Sequence, residues 1–428
     1  MNLSDQDLFE ALCVTIALLG ACYLLIWLVR RLRSTREGFD VGKQITVAFA
    51  VRLLAAVAIG QLAIARDLRG GDELTFLHRA RDLAELPLGG TKSLDALTSQ
   101  LHTFIFSMHW RVLGTAPPDV LLRIEMLTFA VIGILLLSAA VYELAGARAA
   151  RIVAWVLALE PANVFFSSLL HKEPLMYLAE GLVAFGGAVL WKRGKLVAIL
   201  PMVLGCLIAM ATRPYVGWFL TGAAAAIVLH ASLTRQRGLR SFALTSACVI
   251  LVAALGPVVW NQSSDQKLKE LQQSQNFNAA DDNSNLSLEL VDYSTRGKLI
   301  INLPKRISDV VTRPYPWQTQ NASQQLGALG TLVVLACLVL LGVAIVRNRS
   351  QIMQIAGPLV YPAAFMLVAY AISAGNAGTA YRYRTHIVGL AICLVVVLLA
   401  HRRQEQEGPA RVPRRPGLGP VTRTRTAT

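Results

Sequence analysis

Charge is scarce in this chain. Only 16% of its 428 residues are Asp, Glu, Lys or Arg, and with a mean hydropathy of +0.50 that scarcity excludes an ordinary soluble domain. The six cysteines (Cys13, Cys22, Cys206, Cys248, Cys337, Cys393) all fall within apolar runs and none forms a CxxC pair, so neither a disulfide framework nor a cysteine metal site is implied. No internal repeat is evident, and no polar block is large enough to fold alone. The opening "MNLSDQDLFE" lacks the basic leading end of a cleavable signal peptide, so the first apolar run is expected to stay as a span.

What is present in quantity is apolar sequence. Runs long enough to cross a hydrocarbon core, roughly 20 helical residues each, begin near Phe9, Gln44, Val120, Arg151, Pro174, Leu196, Val216, Phe242, Leu326, Ile352 and Tyr383. The expectation is an all-α polytopic membrane protein of about eleven transmembrane helices. Basic residues collect in alternate connections, "RRLRSTREGFDVGK", "GARAAR", "WKRGK", "TRQRGLR", "RNR" and the tail from "HRRQ", which carry 22 Lys/Arg against four Asp/Glu. Segments 66–119 and 261–325, on the other side, are close to neutral. By the positive-inside rule the N-terminus lies outside and the C-terminus in the cytoplasm. The +15 net charge is then a topology and lipid-headgroup signal, and nucleic acid is not an expected partner.

This organisation divides the chain into an additional first helix with its basic loop (1–42), a module of spans containing the first long outer loop (43–240), the remaining spans with the second long loop (241–403), and a Pro-, Arg- and Thr-rich tail (404–428) expected to be disordered. In the first long loop, Phe76, Leu77, Ala80, Leu83 and Ala84 form one helical stripe. Leu94, Leu97, Leu101, Phe104, Ile105, Met108 and Val112 form another, with "PLGG" as the turn between them. Two amphipathic helices on the membrane surface are expected, with Asp72 at the N-cap of the first and Glu73 in its first turn. The second loop opens with "QQSQNFNAADDNSN", which has no apolar period and reads as mobile. It turns amphipathic at "IINLPKRISDVVTRPYPWQ", where Ile301, Ile307, Val310 and Val311 could rest on the bilayer.

The chemistry-bearing residues concentrate on the expected outer side. "HKEP" (His171, Lys172, Glu173, Pro174), "TRPY" around Arg213, and "GNAGTAYRYR" with Arg382 and Arg384 join Asp72 and Glu73 there, together with His78, His102, His109 and His386. Carboxylates can take the proton of an attacking hydroxyl. Arginine and lysine can hold a phosphate leaving group and offset its growing charge. Blander readings stand beside these: Asp72 and Glu73 as a helix cap, Lys172 as a snorkelling residue, and Arg213 and the Arg382–Arg384 run as interfacial anchors. Arg52, Arg123, Glu125, Glu143, Glu160 and Glu180 fall within spans and should face the bundle or a cavity. Arg123 and Glu125 are candidates to line the cavity, and Glu160, before Pro161, could mark a broken helix.

A long first outer loop with an acidic pair and two surface helices, followed by Lys-Glu after "PANVFFSSLLHKEPL", resembles the GT-C superfamily of membrane glycosyltransferases, which includes protein O-mannosyltransferases and the bacterial transferases that decorate lipid A. The resemblance covers roughly residues 43–230. It implies a multi-span helical fold in a bacterial cytoplasmic membrane, a polyprenyl-phosphate-linked sugar donor, a glycan, lipid or protein acceptor, and a catalytic carboxylate at Asp72 or Glu73. Lys172, Arg213, Arg382 and Arg384 are the matching candidates for the donor phosphate, with His78, His171, Glu173 and Arg313 in support. Some members of that superfamily bind a divalent cation through acidic residues, and His78 lies two turns from Asp72, so a metal ion stays open although no spacing here is diagnostic. Two other readings remain. An O-antigen polymerase or ligase would act through Arg296, Arg306 and Arg313 of the second loop, and a transporter or flippase would carry a lipid-linked anionic solute.

Overall fold

A computed structural model describes residues 5–61, 70–235, 245–246, 264–280, 289–313, 315, 317 and 322–407. The protein is an all-α polytopic membrane protein, with no strand among the described residues. Its helices are α1 (Asp5–Ser34), α2 (Gly42–Gln61), α3 (Gly70–Ala84), α4 (Thr91–Ser99), α5 (Leu101–Leu113), α6 (Asp119–Leu159), α7 (Pro161–Ser167), α8 (Glu173–Arg193), α9 (Ile199–Thr212), α10 (Pro214–Arg235), α11 (Asp265–Ala280), α12 (Arg296–Thr312), α13 (Ala322–Arg347), α14 (Ile352–Ser373) and α15 (Ala377–Glu407).

Eight helices among the described residues are long and apolar enough to cross a membrane, and Leu196–Thr212 is a shorter apolar one. The spans expected near Val120 and Arg151 fall in one of the eight, α6, which bends at Gly146, where φ is +86°. A left-handed backbone of this kind suits glycine, and beyond it the chain returns to the end from which it came. The span expected from Phe242 lies outside the described residues but for Thr245 and Ser246. Residues 404–407 of the expected tail extend α15, and the rest of it is also outside.

The core forms where α6 and α8 cross most closely. A Cβ on Gly181 would lie 2.7 Å from the carbonyl oxygen of Gly133, so small residues let two backbones touch where lipid offers no hydrophobic drive. The first long connection folds differently from the two helices expected. Its second stripe is broken at Gln100 (φ −140°, ψ 50°) into α4 and α5. Ala80, Phe106, Leu122, Met126 and Leu170 form one buried cluster, so α3 and α5 are seated on the bundle rather than lying free on a surface. The Asn/Gln-rich run is also not loop-like as far as Ala280, for it lies on α11. There Gln272 and Asn276 accept from the backbone N–H groups of Tyr293 and Val291 at 2.8 and 2.9 Å, so the amides dock the following extended segment. Val310 and Val311 of α12 are buried in the bundle core, while Ile301 is exposed, which reverses the expected contact of those valines with the bilayer.

One buried cation explains a break in the bundle. Pro161 has no N–H to offer the Leu157 carbonyl, and the N–H groups of Ala162 and Asn163 turn instead to the Glu160 carboxylate at 3.2 and 2.5 Å. Glu160 is therefore the N-cap of α7, and the last carbonyls of α6 lose their helical donors. Arg52, fully buried on α2, donates to the Leu157 and Ala158 carbonyls at 3.0 Å each and to Asn163 Oδ1 at 2.6 Å. The clamp supplies donors to the Leu157 and Ala158 carbonyls where the chain breaks inside the bundle. At the end of the bundle bearing the 35–41 and 194–195 connections, Glu143 accepts from Arg36 at 2.8 Å and from Arg193 at 2.7 Å.

Replacing Arg52 by Gln should destabilise the protein strongly, because each buried carbonyl left without a donor costs about 1–3 kcal/mol. Thermal unfolding in detergent should show an apparent midpoint several degrees lower. An unchanged midpoint would contradict the clamp.

Candidate functional site

At the opposite end of the bundle four chain segments enclose a cavity of about 290 Å³. Asp72 and Phe76 come from α3, His171, Lys172 and Glu173 from the start of α8, Arg213 and Tyr215 from the α9–α10 corner, and Arg382 and Tyr383 from α15. Each has a local reason to be there. Asp72 and Phe76 are one helical turn apart and share a face. Pro174 at the first turn of α8 fixes the helix start, and buried Glu173 sits at that N-terminus, where a carboxylate is favoured. Pro214 forces Arg213 out of helical geometry (φ −144°, ψ 88°), so its side chain leaves the helix axis and turns inward. Asn376 caps α15 by accepting from Thr379 N–H at 2.8 Å, which sets Arg382 in the second turn.

The cavity is laced by charge-assisted bonds. Arg382 Nη1 donates to Asp72 Oδ2 at 2.6 Å and to His171 Nδ1 at 3.2 Å; a guanidinium only donates, so that imidazole nitrogen is the acceptor. Arg213 Nη2 donates to Glu173 Oε1 at 2.6 Å, and its guanidinium lies 4.6 Å from the centre of the Tyr383 ring. The Tyr215 and Tyr383 hydroxyls meet at 2.8 Å and form the floor. Arg213 Nη1 is buried with no hydrogen-bond partner among the described residues. Among the described residues Lys172 has no ion pair, and its ammonium lies 5.6 Å from the centre of the Phe76 ring.

Two arginines and Lys172 thus face two carboxylates. Burial pulls the Lys172 ammonium down to about 8, and the neighbouring Arg213 adds to the fall. Burial would raise the Asp72 carboxyl, but the charge and hydrogen bond of Arg382 outweigh it and hold Asp72 below its usual range. His102, beneath Phe76 at a ring separation of 4.4 Å, is pushed well down by burial and by Lys172 and Arg213, so it stays neutral near pH 7. Among the described residues Glu173 Oε2 and His171 Nε2 are also buried without a hydrogen-bond partner, so it is the net positive charge, three cations against two carboxylates, together with the unmet Arg213 Nη1, that suits an anion with several oxygens.

Several candidates stand elsewhere. Glu73 is fully buried and bound to Arg123 and to the Leu170 N–H; one residue on from Asp72 it points about 100° away, into the bundle. It is a structural anchor, so Asp72 is the carboxylate the cavity presents, as a first-turn residue of α3 rather than its cap. Arg123, paired with Glu73, does not line the cavity, and Glu125 faces His109 at 3.4 Å. Arg384, two positions beyond Arg382 and so on the far side of α15, donates to Arg313 O at 2.9 Å and Thr331 Oγ1 at 3.0 Å. Arg313 is paired with Asp309 at 3.0 Å and Arg306 lies 3.8 Å from the same carboxylate, away from the cavity. His78 is exposed on the opposite face of α3, along a separate groove with Arg81 and Trp110. His386 is buried among the helices, 2.6 Å from Glu180. The sequence analysis assigns no site role to the floor tyrosines or to Phe76; for Phe76 the i, i+4 spacing from Asp72 is the available signal.

Among the described residues no group of three or more His, Cys, Asp or Glu side chains is placed to hold a metal ion. Both cavity carboxylates are already held by arginine, and this donor set fits an anion rather than a divalent cation. Comparison with protein-family models, with curated proteins and with solved structures finds no match.

Lys172 sets a pH limit on anion binding. Binding of inorganic sulfate, a dianion throughout this range, should be level just below pH 8 and weaken by up to tenfold per unit above it, since the bound anion favours the ammonium that free protein loses. In Lys172→Arg the fall should vanish from this range, as a guanidinium stays charged. A wild-type profile flat to pH 10 would remove Lys172 from the site.

Proposed function

We propose that the protein is a membrane glycosyltransferase that moves a sugar from a polyprenyl-phosphate-linked donor to an extracytoplasmic acceptor, glycan, lipid or protein. The observation that carries this reading is a carboxylate, Asp72, held by Arg382 at the rim of a cavity with a surplus of cationic donors. The resemblance to the GT-C superfamily points the same way. The Arg- and Lys-bearing connections at the other end, with Arg36 and Arg193 tied to Glu143, support an orientation in a bacterial cytoplasmic membrane with the cavity outside, the N-terminus outside and the C-terminus in the cytoplasm.

In this mechanism the donor phosphate takes the unmet N–H of Arg213, the Lys172 ammonium and Arg382. Arg382 has two claimants, and when it turns to the phosphate Asp72 loses the cation that kept it weakly basic. The carboxylate then accepts the proton of the acceptor hydroxyl as that oxygen attacks the anomeric carbon. The bond from that carbon to the phosphate oxygen breaks, its electron pair stays on the phosphate, and the cations offset the charge. No step requires a metal ion.

A transporter or flippase of a lipid-linked anionic solute is a second reading, favoured by one observation: the Glu180–His386 pair is buried in the bundle, where ionisable side chains often mark a transport path. The enzyme reading explains the rim carboxylate better.

Mass spectrometry of lipid-linked and surface glycans separates the two. Cells carrying Asp72→Asn should lose the product, with transfer at least about a hundredfold slower, while the protein still inserts. Full transfer by Asp72→Asn would end the enzyme reading. A donor-side glycolipid that changes leaflet with no new glycosidic bond would establish the transporter.

A further inference from the structure

The bundle's other end carries a second, chemically different hollow, of about 360 Å³, between the bend of α6 and the end of α15. Its floor is apolar, built from Ala149, Ile152, Val396 and Leu399, and two arginines stand at its edge, Arg148 just after Gly146 and Arg403 in the last turns of α15. They are remote in sequence and reach one groove only because α6 turns back at Gly146. Arg148 is exposed and pairs with no carboxylate among the described residues.

The surroundings restrict what can reach it. Ile152, Trp155, Val156 and Leu399 are exposed on the same wall, and a helical face this apolar on a membrane-spanning bundle meets hydrocarbon. A ligand there must therefore be amphipathic: an acyl chain for the floor and a negative headgroup for the guanidiniums. A small anion would have no use for the apolar floor, and a soluble polypeptide would have to displace lipid from the wall.

We propose that this groove is a binding site for one anionic phospholipid, its phosphate between Arg148 and Arg403 and an acyl chain along Ile152, Val396 and Leu399. Basic pockets between transmembrane helices recognise such headgroups. The site is independent of the cavity at the opposite end and does not rest on the glycosyl-transfer reading. It gives two arginines of the basic end a specific ligand in place of a general attraction to the membrane surface.

The test uses the full-length protein in nanodiscs of phosphatidylcholine with increasing phosphatidylglycerol, followed by release into detergent and native mass spectrometry of retained lipid. Wild type should retain one phosphatidylglycerol in preference to phosphatidylcholine. The double variant Arg148→Gln/Arg403→Gln should lose that preference by about thirtyfold, from roughly one headgroup attraction per arginine. Arg349→Gln, exposed in the α13–α14 connection, should leave retention unchanged, and size-exclusion profiles should be alike for all three. Equal retention of the two lipids by wild type would overturn the proposal, as would undiminished retention by the double variant. Displacement of the lipid by millimolar inorganic phosphate would show a bare-anion site and overturn it too.

Discussion

The ion pair between Asp72 and Arg382 joins two parts of the chain that are far apart in sequence, the first long connection and the last helix. Much else at that end of the bundle follows from it. Asp72 is half-exposed, so the pair sits where protein meets solvent, and it is the contact in the cavity most open to exchange. Behind it the Arg213–Glu173 pair is almost wholly buried, and separating its partners would leave a charge stranded at a cost of several kcal/mol. The two pairs therefore differ in kind: one frames the cavity and the other can be traded for a ligand's phosphate. Lys172, with no carboxylate of its own among the described residues, supplies the net attraction that draws the anion in.

The frame depends on a deliberate interruption of the helices. Had α6 continued past Glu160, the turn at 168–172 would not reach α3. Pro161 breaks it, Glu160 caps the new helix, and Arg52 takes the carbonyls left over. Arg123 then holds Ser168 O at 2.9 Å together with Glu73, which ties the turn, α3 and α6 into one unit. Polar groups that look misplaced in an apolar sequence are thus consumed by the architecture, each meeting a need that a bilayer cannot meet.

The sequence was legible where the signal is long or where composition is extreme. Apolar runs of span length gave the helical class, and the clusters HKEP, TRPY and GNAGTAYRYR pointed to segments that do converge on one cavity. Direction was not legible. Asp72 and Glu73 look equivalent in sequence, and so do Arg382 and Arg384, yet a rotation of 100° or 200° along a helix sends one member to the cavity and the other into packing. The Asn/Gln run of α11 read as mobile because its amides find their partners, the Tyr293 and Val291 N–H groups, only after the chain has folded back. The break at Gln100 had no residue signal at all, since neither glycine nor proline marks it.

The central claim is that Asp72 and an incoming phosphate compete for Arg382. A double-mutant cycle on pyrophosphate binding, measured by calorimetry on wild type, Asp72→Asn, Arg382→Gln and the double variant, tests it directly. Competition predicts tighter binding in Asp72→Asn, weaker binding in Arg382→Gln, and no gain from the asparagine once Arg382 is gone. If the asparagine strengthens binding equally with and without Arg382, the two side chains do not share the ligand and the account fails.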